Sequence, residues 1–533
     1  MRYSGRMKRR ILLGALASLP MIRMAHGAVA HRLTILHMND FHSRHEPVDG
    51  RALTCRPGAR PDCLGGVARL ASGLFAERAA AEAAGRAVLL VDAGDQFQGS
   101  LFYTAWHGEV ELAVMHALGT EAMAVGNHEF DNGPETLGAF VRKARFPVLS
   151  ANIDASGEPF LAGLLRPCVL LDKSGLKVGL IGVTTLQTGI TSSPGPNVTF
   201  TDPASALGTQ AAALRQAGAG LVVALSHLGA DVDQSLAGLV PGVDVFVGGH
   251  SHTLLSDSEP GASGPAHAVF DGKAGRAVVV QAACFGRYFG RLDLDIGDDG
   301  TVLAYGGDTR HVGLDLPEHP AVAAIVAFYA TQLDAVRRKI VGHADHAVDI
   351  ASCRIGECAL GSYVAEAMLS AVQGAQIAIT NGGGLRTGLP AGELTLGDVL
   401  SVLPFGNSVA SLKLRGSDVA TALANGVARA GAGGFPQVAG LRLTWRPLAP
   451  AAERLGKVEI RDADGRFEPL DPDRIYSVVT NNFMRTGGDG YVVFRDRAID
   501  AYDSGPGLDE VVAAAIGRTG SLKLRTDGRI GID

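Results

Sequence analysis

Between His31 and about residue 310 the chain repeats one alternation: a short apolar run rich in β-branched residues, a polar Gly-rich turn, and often an amphipathic stretch. The runs read LTILHM, AVLLVDA, EAMAV, FPVLSAN, KVGLIGVTT, GLVVALS, VDVFVGG and AVVVQAA, and intervening segments such as TLGAFVRKA carry helical spacing. Continuous apolar strands interleaved with helices predict an α/β domain whose sheets are covered on both faces. Residues 318–340, EHPAVAAIVAFYATQLDAVRRKI, keep helical periodicity with acid at the start and Lys and Arg at the end, as the helix dipole favours. They predict one connecting helix. A second α/β unit follows, with a helix in LGSYVAEAMLSAV and strands in QIAIT, SVASLKL and IYSVVT. No repeat of fixed period is visible. The pattern divides the chain into a leader over 1–30, a domain over 31–317, a connecting helix over 318–341 and a second domain over 342–533.

Composition narrows this picture. A chain of 533 residues exceeds one core, and at about 150 residues per domain the expectation is roughly two to four domains. Hydrophobic residues make up 47% and charged residues 19%, a globular balance and not a disordered one. The formal charge of −6 argues against a binder of nucleic-acid polymers or anionic membranes, so an anionic substrate needs positive charge supplied locally.

The first thirty residues have a separate task. MRYSGRMKRR is basic, ILLGALASLPMI is apolar, and AVA at 28–30 is a small-residue cleavage site, the layout of a secretory signal. The mature chain is expected to begin near His31 and to be periplasmic or secreted. The apolar run is too short to span a bilayer, and Arg9-Arg10 before Ile-Leu-Leu fits a twin-arginine or a Sec signal. Neither a lipid anchor nor a tail anchor is expected. Six cysteines in an exported chain are read first as disulfides. Cys55 and Cys63 flank RPGARPD, and Cys353 and Cys358 enclose RIGE, two short loops where a local bridge is easy. Cys168 and Cys284 sit in apolar surroundings, either as free thiols or as a long-range pair.

The strand ends carry the chemistry. LTILHM runs into NDFH, with Asp40 and His42; AVLLVDA runs into GDQFQG, with Asp95. EAMAV runs into GNHEFD, with Asn127, His128 and Asp131; GLVVALS runs into His227, and VDVFVGG into HSH, with His250 and His252. In open α/β sheets ligands bind beyond the carboxyl ends of the strands, so residues distant in sequence reach one edge. Neutral imidazoles, carboxylates and an amide oxygen are ligands of Zn²⁺, Mn²⁺ or Fe²⁺. Asp40, His42, Asp95, Asn127, His227, His250 and His252 are too many for one tetrahedral ion. Two divalent ions sharing one carboxylate use them better, and such pairs, about 3.5 to 4 Å apart, promote in-line displacement at phosphorus. His37, inside a strand, reads as a core histidine, and His107, His116, His343 and His346 have no matching partner.

In that order, DxH, GDxxxG, GNHExD, a strand-end His and GGHSH resemble the binuclear metallophosphoesterase family over nearly all of residues 31–300. Beyond them, SCRIGECALGSYVAEAM, ITNGGGLRTG, LPFGN and NNFMRTGGDGY resemble the C-terminal domain of the 5′-nucleotidase family. The resemblance implies an N-terminal sandwich of two β-sheets flanked by helices and a C-terminal α/β substrate-binding domain. It implies one metal on Asp40, His42 and His252 and another on Asn127, His227 and His250, with Asp95 bridging. His252 stands where family members often carry an amide, which leaves the choice among Zn, Mn and similar ions open. His128 and Asp131 match the family's catalytic dyad. Arg354 and Arg386 match its phosphate-binding arginines, and guanidinium forks suit phosphate oxygens. Asn381 matches an accompanying amide donor, Phe405 and Phe483 the aromatic pair around the base, and Asp489 a ribose-binding acid. Arg485, in the same loop, is left unassigned.

The implied activity is an exported two-metal hydrolase that releases phosphate from nucleoside 5′-phosphates, with domain closure accompanying turnover. The rival readings are UDP-sugar or 2′,3′-cyclic phosphodiester hydrolysis, sulfur-ester hydrolysis, and non-catalytic nucleotide binding. The Phe405 and Phe483 pair disfavours the sulfur reading, and retention of every ligand and both dyad residues disfavours the last.

Overall fold

The computed structural model describes residues 22–23, 28–48, 55, 63–272, 275–462 and 464–533. The leader expected over 1–30 lies almost wholly outside the described residues. Among those described, no helix is long and apolar enough to cross a membrane.

The apolar runs of the N-terminal half become two sheets packed face to face. In a seven-stranded sheet, His31–Met38, Ala87–Asp92, Ala122–Ala124 and Val148–Leu149 run parallel, while Tyr288–Ile296 pairs antiparallel with His31–Met38 and Val302–His311 pairs antiparallel with Tyr288–Ile296. In a six-stranded sheet, Leu176–Thr184, Leu221–His227, Val245–Gly248 and Gly275–Val280 run parallel. Leu33, Ile35, Leu89 and Val91 of one sheet meet Val178, Leu180, Val223 and Val245 of the other in a fully buried layer. Each such aliphatic side chain contributes about 1.5 to 3 kcal/mol when taken out of water.

The alternate residues of the same strands face outward. Leu36, Met38 and Leu90 pack on Leu70, Leu74 and Val322 of the helices Val67–Ala83 and Pro320–Ala330. Ile181, Val222 and Ala224 pack on Leu207, Ala211 and Leu214 of the helix Pro203–Gln216. With both strand faces covered, a continuous apolar run is the pattern the fold demands.

The connecting segment differs from the single helix that its periodicity predicts. It forms two helices, Pro320–Ala330 and Leu333–Arg337, before the strand Ile340–Ala344. Val322 packs on the first N-terminal helix, while Leu333 packs on Phe102 and Val110. At the break, the Thr331 hydroxyl donates to the Phe328 carbonyl at 2.7 Å, a local bond that competes with helix continuation. Periodicity registers the apolar stripe and not the local bond that interrupts it.

The C-terminal half centres on a five-stranded sheet in the order Pro436–Ala439, Ile377–Asn381, Ile475–Asn481, Val409–Arg415, Ile499–Tyr502. The helices Ala359–Ala371 and Leu508–Thr519 share one core, and Gly416–Ala428 packs in another. Cys55 bonds to Cys63 and Cys353 to Cys358, with Cα separations of 6.3 and 4.7 Å. Cys168 and Cys284 are free; Cys168 donates to Gln210, and buried Cys284 accepts from Arg287.

Candidate active site

Because the parallel strands of each sheet point one way, their carboxyl ends form one edge, where the polar turns converge. Five of the residues there, Asp40, His42, Asp95, His250 and His252, hold positive φ between 49° and 73°. Non-glycine residues avoid this region, and a cluster of them marks backbone forced to aim side chains at a common point. Gly126 is required at the same edge, since a Cβ there would run into the Asp95 carboxylate.

Two clusters of donor atoms result. Asp40, His42 and His252 form one, with Asp40 Oδ1 3.3 Å and His42 Nε2 3.1 Å from His252 Nε2. Asp95, His227 and His250 form the other, with Asp95 Oδ2 3.0 Å from His227 Nε2 and Asn127 Oδ1 3.0 Å from His250 Nδ1. Asp95 Oδ2 also lies 3.8 Å from His42 Nε2, which places one carboxylate between the clusters. Tetrahedral bonds of about 2.0 to 2.2 Å to a shared ion would put adjacent donors roughly 3.3 to 3.6 Å apart, close to the spacing seen here. Asp95 Oδ2 and His227 Nε2 are buried and have no hydrogen-bond partner beyond each other. Burial, the largest influence on both, holds the His42 and His250 rings neutral with pKa near 3, so their lone pairs are available. For Asp95, burial pushes the pKa up, but the His227 and His128 rings outweigh it and hold the carboxyl well below its usual range. Burial opposes charge on His227 and His252 as well, but Asp95 lifts the first to about 9, and Cys284 and Asp40 lift the second well above its usual range. The same anionic groups favour a cation at each cluster, so the donor set fits two divalent ions.

His128 stands beside these clusters and belongs to neither of the two; a third grouping joins it to His42 and Asp95. Its Nδ1 lies 2.6 Å from Asp131 Oδ2, and Ser192 donates to the other Asp131 oxygen at 2.6 Å. Burial opposes charge on the ring, but Asp131 and Asp95 outweigh it and lift the pKa to about 10. His37 is 1% exposed inside its strand, with burial lowering its pKa to about 3, and its Nδ1 has no partner.

A cavity of about 710 Å³ opens from this edge into the C-terminal half. His42 and His252 line one wall; Arg354, Asn381, Arg386, Phe405, Phe483 and Asp489 line the other. Asn381 donates to Asp489 at 2.8 Å, and the Arg386 guanidinium lies 5.5 Å from the Phe405 ring centroid. All the residues singled out in the sequence thus meet around one edge and one cavity. Arg485 does not join them: it pairs with Asp503 at 3.0 Å and donates to the Phe494 carbonyl.

Other residues in the site carry no reading from the sequence. Glu129, inside GNHEFD, accepts the backbone N–H groups of Asp95, Gln96, Phe97 and Gly126 at 2.6 to 3.2 Å, tying two ligand loops together. Its position between ligands was the available signal. Arg44 and Arg287, flanking the Phe285 ring at 5.4 and 5.2 Å, also line the cavity. Tyr502 reaches the edge from the C-terminal half, and no motif announces it.

Residues 33–254 match the calcineurin-like phosphoesterase family, and residues 340–496 match the 5′-nucleotidase, C-terminal domain family. Sandwich and paired donor clusters define a binuclear metallophosphoesterase. The chain is 35% identical over 525 residues to a 5′-nucleotidase of Bos taurus, spanning 93% of this chain and 90% of that one. It is 34% identical over 534 residues to a 5′-nucleotidase of Homo sapiens, spanning 94% and 91%. It belongs to the 5′-nucleotidase family. Among solved structures, a 5′-nucleotidase precursor from Thermus thermophilus is 37% identical with a TM-score of 0.59, over 94% of this chain and 99% of that one. The NAD nucleotidase of Haemophilus influenzae is 26% identical with a TM-score of 0.82 over the same shares.

Proposed function

We propose that the protein is exported and hydrolyses nucleoside 5′-phosphates to nucleoside and phosphate. The observation that carries this reading is the shared cavity, where His42 and His252 face Arg354, Arg386, Phe405 and Phe483. Asp40, His42 and His252 would hold one ion and Asn127, His227 and His250 the other, with Asp95 shared. When bound, the ions would supply a water nucleophile near neutral pH and neutralise phosphoryl charge.

The remaining work falls to the chain. Arg354 and Arg386 bind the phosphate and supply the positive charge that an acidic protein otherwise lacks. Asn127 and His128 donate to phosphoryl oxygens as charge gathers there, and Asp131 keeps the His128 ring oriented and its Nε2 side protonated toward the substrate. His128 can then give that proton to the departing ribose oxygen. Phe405 and Phe483 take the base between them, and the Asp489 carboxylate, fixed by Asn381, accepts from ribose hydroxyls. The ligands stand in one domain and the nucleoside residues in the other, over 31–317 and 342–533, so catalysis requires the two to be closed.

A substrate panel with Mn²⁺, Zn²⁺ and Mg²⁺ tests the proposal. Nucleoside 5′-monophosphates should exceed 3′-monophosphates, UDP-sugars, 2′,3′-cyclic nucleotides and sulfur esters in kcat/KM. Preference for any of the others would replace the reading.

A further inference from the structure

Asn127 and His128 are each fully buried, and neither lines the cavity that reaches His42 and His252. The group covering them is Tyr502, delivered from the C-terminal half at the end of the strand Ile499–Tyr502. Its phenol oxygen accepts from Asn127 Nδ2 at 2.6 Å and lies 3.1 Å from His128 Nε2. The phenol also lies 2.9 Å from the Ser504 carbonyl, to which it donates, and its ring stacks on His250 at 5.7 Å and 27°. The segment that carries it is braced on both sides. Gly505 donates to the Val409 carbonyl at 3.0 Å, and Glu510, in the first turn of the following helix, accepts from Thr104 of the N-terminal half at 2.6 Å.

The two side chains that meet this oxygen are those that would meet a phosphoryl oxygen. We propose that Tyr502 is a placeholder: with the domains closed and no substrate bound, its hydroxyl occupies a phosphoryl-oxygen position, and an incoming phosphate displaces it. This rests on the reading that Asn127 and His128 contact the phosphate. Placement here has two consequences. The polar groups of Asn127 and His128 stay hydrogen-bonded when the domains close on an empty site, which avoids the cost of burying them unpaired. A ligand without a phosphoryl group, such as a nucleoside, leaves the phenol contacts in place, so the competition weighs on phosphate-bearing ligands alone.

Inorganic phosphate binding to the metal-loaded full chain, measured by calorimetry, tests this without relying on turnover. Tyr502→Phe keeps the ring and removes the hydroxyl that meets both Asn127 and His128, so phosphate should bind more tightly, by roughly 2- to 12-fold for each competing hydrogen bond lost. Tyr502→Ala should bind phosphate at least as tightly. In the unmutated protein, phosphate should also raise amide exchange across residues 499–505. Equal affinities in all three proteins would overturn the placeholder, and weaker binding by Tyr502→Phe would overturn it by making the hydroxyl a phosphate ligand. His128→Ala should weaken phosphate binding. If it does not, the phosphate reading of the site fails and the placeholder with it; if it does while the Tyr502 series is flat, only the placeholder fails.

Discussion

The Nδ1 of His128 lies 2.6 Å from Asp131 Oδ2, and the second Asp131 oxygen accepts from Ser192, so the carboxylate that orients the ring is itself held from behind. The ring belongs to neither of the two proposed ligand sets. His128→Ala should therefore keep its metals and lose about 10² or more in kcat, the scale of a positioned proton donor or charge stabiliser. Asp131→Asn should show a smaller loss of the same kind. Steady-state kinetics beside elemental analysis checks both, and near-normal turnover in His128→Ala would remove it from the catalytic group.

Asp95 stands between the donor clusters, with Oδ2 3.0 Å from His227 and 3.8 Å from His42. Purified protein should hold close to two divalent ions per chain, and Asp95→Ala should lose most of both. His252→Ala should lose mainly one. Mass-spectrometric metal counting decides it: one ion per fully active chain would rule out the shared carboxylate.

Phe405 and Phe483 line one cavity, with Phe483 40% exposed and open to a stacking partner. A base on such a ring contributes about 1 to 3 kcal/mol. Phe483→Ala should lower kcat/KM for a nucleoside monophosphate by roughly 5- to 150-fold. A small aryl phosphate should be hydrolysed almost as before. Equal losses on both substrates would assign the ring to the fold instead.

The disulfide Cys353–Cys358 closes the loop that carries Arg354. Replacing both cysteines with serine should cost about 2 kcal/mol by loop-closure entropy. Gln437 donates to the Cys353 and Gly356 carbonyls independently of the bridge, so the loop keeps part of its shape. Denaturant unfolding should shift, and KM should rise by less than about tenfold, since a factor of ten already corresponds to roughly 1.4 kcal/mol. A loss of activity with unchanged stability would contradict this order of effects.

Closure itself should depend on pH through Glu510, which accepts from Thr104 across the two halves. Burial first, then Asp509, lifts its pKa to about 7 in the closed arrangement. A solvent-exposed Glu titrates near about 4.3, so the closed form binds a proton that an open form releases. This contribution to closure is complete below about pH 4.3 and is lost as pH rises through about 7. Interdomain distance measurements from pH 5 to 8 should show opening as pH rises, and Glu510→Gln should flatten the curve. A rising tendency to close would reverse the assignment.

Much of the site is legible along the chain because its signals are local. An apolar run, a Gly-rich turn and a ligand fit within about a dozen residues, and strand direction carries Asp40, Asp95 and Asn127 to one edge of the first sheet and His227 and His250 to one edge of the second. The α/β class with covered sheets follows for the same reason, since strands buried on both faces must be apolar throughout, whereas the division into two sheets comes only from the family resemblance. The break at Thr331 is not legible, because Val322, Val326 and Leu333 satisfy one helical pattern and the bond at the break is a local hydroxyl contact. Nor is the role of Glu129, whose bonds to the Asp95 loop cross more than thirty positions. Tyr502 lies furthest from sequence reasoning. Its contact with His128 spans 374 positions and exists only when two domains meet, and a tyrosine at a strand end has no composition or spacing that distinguishes it from a surface residue. Local chemistry determines which groups the chain can offer; the closing of distant surfaces decides which of them touch.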